Sequence, residues 1–273
     1  MRGTRILGVD FTSAPRAAKP ITIASGAVRA GVFMLESIET APDWTTFESV
    51  LARPGPWVGG FDFPFGLPRA AVRDLGWPQD WPRLVAHCAG LGRSGFRAAL
   101  DAYRETRPFG DRYAHRLTDR PARSHSPLKL VNPPVGLMFL EGAPRLAAAG
   151  VTIAGIRAGD PTRIALEAYP ALAARTITRE SYKSDERAQQ TAARRDARMR
   201  IVRALAADDP ALGIRLEASA GQCRALVADA SGDRLDAVLA ALQAAWAWRR
   251  RARNFGLPAA IDPLEGWIIG AQA

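Results

Sequence analysis

Read for the alternation of apolar and polar positions, the first sixty or so residues divide into short segments of strand period separated by turns. Residues 5–11 (RILGVDF) are an apolar run that ends in an acid and an aromatic, residues 21–25 (ITIAS) alternate, and residues 31–38 (GVFMLESI) supply a third run. The short connections between them predict two hairpins, hence an antiparallel meander. Residues 42–51 (PDWTTFESVL) change to helical spacing, with Asp43 as the cap and Trp44, Phe47 and Leu51 on one face. Residues 57–63 (WVGGFDF) return to strand character, and a helical crossover after a meander predicts that this fourth strand lies parallel to the first.

From about residue 67 to 161 the rhythm breaks. The stretch is rich in Pro, Trp and Arg and holds the three histidines His87, His115 and His125. It reads as a largely helical insertion with long loops, its better helical segments being residues 98–104 and 144–149. A fifth strand is expected over residues 164–168 (IALEA), a long arginine-studded helix over 185–207, and a last helix over 232–250. The predicted architecture is an α/β domain spanning 1–273: a mixed five-stranded sheet in the order β-β-β-α-β-…-β-α, flanked by helices.

Composition narrows the class. With 48% hydrophobic residues in 273, a sizeable core is available, and no apolar run approaches the ~20 residues of a membrane helix. The apolar start meets Asp10 at once, which is a strand pattern and not a signal peptide, so a cytoplasmic location is expected. Cys88 and Cys223 have no metal-ligand spacing. Lys and Arg number 37 against 27 Asp and Glu, a net charge of +10. That balance fits a polyanion such as nucleic acid as partner, and fits equally a merely Ala/Arg-rich composition.

The acids carry the chemistry. Asp10 ends the first strand, Asp62 lies near the end of the fourth between two phenylalanines, Glu167 ends the fifth, and Asp233 and Asp236 sit in GDRLDAVLAAL on the last helix. A buried carboxylate without a partner loses several kcal/mol of hydration, so acids in apolar runs call for an explanation. If strands one and four are parallel neighbours, Asp10 and Asp62 emerge at one carboxyl edge, and the small Ala237 and Ala240 let the helix bring Asp236 over them. Carboxylates meeting in this way need a cation, and hard oxygen ligands select Mg²⁺ or Mn²⁺.

Several segments together resemble an uncharacterised family of predicted ribonuclease H-like nucleases, a domain of unknown function. They are GVDFTSAP (8–15), GFDFPFGLP (60–68), HRLTDRPARSHSP (115–127), LEAYPALAAR (166–175), GDRLDAVLAAL (232–242) and DPLEGWI (262–268), and they cover nearly the whole chain. DRLDA is similar to the last acidic motif of RuvC-type resolvases, although Asp62 stands where those carry Glu. The resemblance implies a ribonuclease H-like fold and a metal-dependent nuclease acting on DNA or RNA. Asp10, Asp62 and Asp236 would hold one or two ions, with Asp233 or Glu167 assisting.

Each residue has a plainer reading beside this one. Strand-end acids bind turn backbone; Asp233 follows Gly232 where a helix cap belongs; Glu167 can bind an arginine or the insertion instead; Glu265 can be structural glue. The histidines lack ligand spacing, and His125 is the candidate proton carrier. Trp77 and Trp81 read as packing or as base-stacking platforms, and Arg194, Arg195, Arg198 and Arg200 as a solvated helix face or a phosphate track. Two other functions fit the pattern: a nucleotide-dependent phosphotransferase or ATPase of the actin-like group, whose first phosphate loop GVDFTSAP resembles, and a non-catalytic nucleic-acid-binding module. The lack of a Gly-rich loop after the fourth strand counts against the first.

Overall fold

The computed structural model describes residues 4–207 and 212–272. Its centre is a seven-stranded, mostly parallel sheet in the order β5-β6-β4-β1-β2-β3-β7. The strands are β1 (Arg5–Asp10), β2 (Ile21–Arg29), β3 (Val32–Ala41), β4 (Trp57–Asp62), β5 (Val151–Ile153), β6 (Asp160–Glu167) and β7 (Arg215–Glu217). β2 pairs antiparallel with both β1 and β3, which is the expected meander; β1–β4, β4–β6, β5–β6 and β3–β7 are parallel. The expected count of five strands is corrected to seven. The additional β5 and β7 are three residues each and lie at the two sheet edges, too short to carry a readable period of two.

The helices are α1 (Trp44–Leu51), α2 (Arg69–Asp74), α3 (Trp81–Glu105), α4 (Asp119–Ala122), α5 (Val135–Ala148), α6 (Pro170–Arg175), α7 (Ala192–Ala206), α8 (Ala220–Ala228) and α9 (Asp233–Arg249). Asp43 caps α1 as expected, accepting from the Thr46 amide at 2.8 Å. The helix expected from residue 185 begins only at Ala192, where the Thr191 hydroxyl caps it. Before it the chain is irregular apart from a single 3-10 turn at Arg187–Gln189. Among the described residues no helix is long and apolar enough to cross a membrane.

Side chains of the strands alternate between two cores. Leu7 and Val9 of β1 and Phe11 just beyond it, with Phe61, Phe63 and Phe65, pack under α1, α2, α3 and α5. Ile6, Val58 and Leu166 face α6, α7, α8 and α9. The segment expected to be an insertion thus builds most of one core and adds β5 to the sheet. Trp77 and Trp81 belong to that core, and the Trp81 indole donates to the Phe65 carbonyl at 2.6 Å, so packing is their role.

On the other face the period of two puts Gly8 and Asp10 of β1, and Gly60 and Asp62 of β4, toward α9. A Cβ on Gly8 would collide with the backbone of Ala237 and Ala241, and one on Gly60 with the Ala240 carbonyl. Two glycines below and a row of alanines above therefore let the helix backbone lie directly on the sheet. α9 is buried on nearly all sides, as a helix apolar around its circumference should be.

Candidate functional site

β1 and β4 run parallel in register, with Asp10 opposite Asp62 at their carboxyl ends. The close seating of α9 lowers its first turn onto them and delivers Asp236. One oxygen from each of Asp10, Asp62 and Asp236 lies within 4.8 Å of the others. Asp10 and Asp236 are buried, and Asp62 is half-buried, so the cluster opens to solvent on the Asp62 side.

A chain segment that the sequence reading passed over completes the site. Between α6 and α7, the Tyr182 hydroxyl donates to Asp236 Oδ1 at 2.5 Å and the Lys183 ammonium donates to Asp236 Oδ2. The segment is held in place from behind by Arg198, which is buried and donates to the Tyr182 carbonyl at 2.6 Å and to the Val227 carbonyl at 2.9 Å. Arg198 is therefore not part of a solvated face. No periodicity marks Tyr182 and Lys183, since they lie in irregular chain; the one available signal was a tyrosine and a lysine together in a polar stretch.

The electrostatics are those of crowded acids. Burial, then the charge of Asp236, raises the Asp10 pKa well above the usual carboxylate range, with Lys183 opposing and Asp233 and Asp62 adding to the rise. Burial pushes Asp62 up to about 7, eased by Lys183 and reinforced by Asp236 and Glu167. Asp236 is also raised, by burial against the pull of Lys183 and Tyr182. Burial alone would lower the Lys183 pKa, but Asp236, Tyr182, Asp10 and Asp62 together raise it well above its ordinary value. When ionised, the three carboxylates exceed the one ammonium by two charges, which is what a single divalent cation neutralises. Their donor set, three hard oxygens, suits Mg²⁺ or Mn²⁺.

Two predicted members stand outside the cluster. Asp233 lies one turn before Asp236 and pairs with Lys19 at 2.9 Å, Lys19 also binding Asp185 at 2.7 Å. Nor does it cap α9: Gly232 occupies the cap position, with φ of 80°, and the Asp229 carboxylate accepts from the Arg234 amide at 2.9 Å. Glu167 pairs in register with Phe61 and so points to the opposite face of the sheet from Asp62. There its two oxygens accept from Arg116 at 2.7 and 2.8 Å and from the Phe65 amide at 2.9 Å. Arg116 also binds Asp119 at 2.9 Å. The sequence alternative for Glu167, an arginine or the intervening segment as its partner, is thus met by an arginine within that segment. Glu265 is glue as well, accepting from the amides of Arg69 and Leu117, each at 2.8 Å.

A family model described as "Protein of unknown function (DUF429)" matches residues 8–260. Neither the curated proteins nor the solved structures contain a match to the chain.

Proposed function

The chain belongs to the DUF429 family of proteins of unknown function, so its activity must be read from the site, and we propose that it is a divalent-metal-dependent phosphodiesterase of the nuclease class. In this reading Asp10, Asp62 and Asp236 are the ligands of Mg²⁺ or Mn²⁺, and DNA or RNA is the substrate. The observation that carries it is the convergence of three carboxylates within 4.8 Å at one end of a sheet. Asp10 and Asp62 accept no hydrogen bond from any described residue, although one is buried and the other half-buried. Their oxygens are therefore open to a ligand.

The meander β1–β2–β3, the crossover through α1 and the parallel return of β4 beside β1 support a ribonuclease H-like assignment. A bound divalent ion supplies charge stabilisation to a phosphoryl group and makes a bound water acidic. The chain's own residues do the positioning. Asp10 and Asp62 are fixed by strand register, Asp236 by Tyr182 and Lys183, and Lys183 offsets part of the negative charge that would repel a phosphate. The site opens on the Asp62 side, where a backbone phosphate could approach.

The test is cleavage of a panel of single strands, duplexes, hybrids and branched junctions with Mg²⁺ or Mn²⁺, by wild type and Asp62→Asn. The expected result is chelator-sensitive cleavage that falls at least about 100-fold in the variant, comparable to losing a strong electrostatic contact in a transition state, with Mn²⁺ binding weakened in calorimetry. Equal cleavage by the variant with the same metal dependence removes Asp62 from the ligand set. Polyanion binding without any cleavage, unchanged by the substitution, favours a binding module instead.

A further inference from the structure

The motif HRLTDRPARSHSP is not used by the carboxylate cluster, yet it builds a second feature. A cavity of about 250 Å³ is lined by Tyr113, His115, His125, Ser126 and Lys129. Clefts that enclose drug-sized ligands run to ~300–1,000 Å³, so this one suits a small group. Its lining is rich in donors and poor in acceptors. The Lys129 ammonium, the His125 imidazole and the Tyr113 hydroxyl make no hydrogen bond to any described residue. The Ser126 hydroxyl is turned to the Ala114 carbonyl at 2.5 Å. The nearest acid, Asp119, is 4.0 Å from His115 Nδ1, but its two oxygens are taken by Arg116 and by the Ser124 hydroxyl. Burial first, then the charges of Lys129, His115 and Arg175, holds His125 below its ordinary value. A cation and further donors line it, and the nearest anion is already engaged by other partners.

The cavity connects to the carboxylate cluster through intervening residues. Arg175, at the end of α6, donates to the Ala122 carbonyl at 2.5 Å and stacks at 5.2 Å over the Tyr169 ring. His125 lies within the field of Arg175, and Tyr169 within the fields of both Arg175 and Asp62. A line of residues thus leads from Asp62 through Tyr169 and Arg175 to His125.

We propose that this cavity is a phosphate-binding subsite, which seats one phosphate of a nucleotide chain while another phosphodiester of the same chain lies over Asp10, Asp62 and Asp236. That the phosphate belongs to a nucleotide chain rests on the hydrolase reading; the capture of phosphate by Lys129 and the histidines does not. Charge-assisted hydrogen bonds to phosphate are the strong ones, and an ammonium with two adjacent donors is a suitable set.

The experiment is a titration of the full chain, with chelator and no metal, followed by nuclear magnetic resonance of the imidazoles and by calorimetry. The probes are inorganic phosphate, thymidine 5′-monophosphate, thymidylyl-thymidine and thymidine. Phosphate-bearing probes should shift the His115 and His125 resonances and leave His87, which packs against Trp77 with ring centroids 5.3 Å apart, unmoved; thymidine should do nothing. Preference for the monophosphate identifies a terminal phosphate as the occupant, and preference for the dinucleotide a bridging one; both support the subsite. Lys129→Ala should weaken binding roughly tenfold or more, the usual loss for a hydrogen bond to a charged group, and Lys129→Arg should retain it. Absence of shifts at His115 and His125, equal binding of thymidine, or unchanged affinity in Lys129→Ala overturns the proposal. Mn²⁺ binding is measured separately: its loss with phosphate binding intact overturns the metal reading alone, and the reverse overturns the subsite alone.

Discussion

On one face of the sheet, at the ends of β1 and β4, Asp10, Asp62 and Asp236 meet with Lys183 as their nearest cation. On the other face, at the end of β6, Glu167 meets Asp119 with Arg116 between them. Both groups are buried charges at the same carboxyl edge, yet their hydrogen bonding differs. Every carboxylate oxygen of Glu167 and Asp119 has a donor, supplied by Arg116, the Phe65 amide and the Ser124 hydroxyl. Asp10 and Asp62 have none among the described residues. A saturated network has no valence left for a ligand and serves to join the 115–124 segment to the sheet. An unsaturated one retains the capacity to bind.

The largest effect is expected on the saturated side. Arg116→Ala strands two buried carboxylates, and removal of one partner from a buried pair costs about 3–5 kcal/mol. Urea unfolding should register that loss, whereas a change below about 1 kcal/mol would show that the network is not the clamp its geometry suggests. On the unsaturated side the geometry depends on helix seating. Gly8→Ala drives a methyl into the α9 backbone and should cost about 1–3 kcal/mol, the range for overpacking, while weakening Mn²⁺ binding by displacing Asp236. Full Mn²⁺ affinity in a folded Gly8→Ala protein would separate the cluster from the helix contact.

A smaller effect sharpens the contrast through pH. With Asp62 raised to about 7, well above the ordinary ~3.9 of an aspartate, the folded protein between these values holds a proton that the unfolded chain has released. Stability without metal should therefore fall as pH rises from about 4 to 7, with a limiting slope of about 1.4 kcal/mol per pH unit for one proton. Asp10 and Asp236, also raised, act in the same sense. Carboxylates held low, such as Asp160 at about 2, contribute stability already complete above pH ~4 and do not cancel the slope. His125, held low, opposes it modestly, so the informative quantity is the difference between wild type and Asp62→Asn. Urea midpoints at pH 5, 6 and 7 in chelator should converge toward low pH and separate toward pH 7, with the variant the more stable. Parallel curves would mean that Asp62 ionises at its ordinary value.

Much of this arrangement could be read from the chain. RILGVDF and WVGGFDF state their own strand period, the crossover rule sets β4 beside β1, and the alanines of DRLDAVLAAL announce a close helix contact. These signals are local, and hydrophobic periodicity needs only neighbouring residues to express it. The edge strands escaped because three residues are too few to show a period. Tyr182 and Lys183 escaped because irregular chain has no period at all.

Glu167 shows where local information ends. Both faces of β6 are buried, so IALEA looks alike from either side, and the spacing of its apolar residues cannot say which way the acid points. Register against β4 decided that, placing Glu167 with Phe61 and away from Asp62. The pairing of Asp233 with Lys19, 214 residues away in sequence, and of Asp236 with Lys183 was likewise decided in three dimensions. Local pattern was enough to place the long strands and helices and the acids at their ends. Tertiary structure alone decided which acids share a face and which are already neutralised, because strand register and charge pairing join residues that nothing in their local neighbourhood connects.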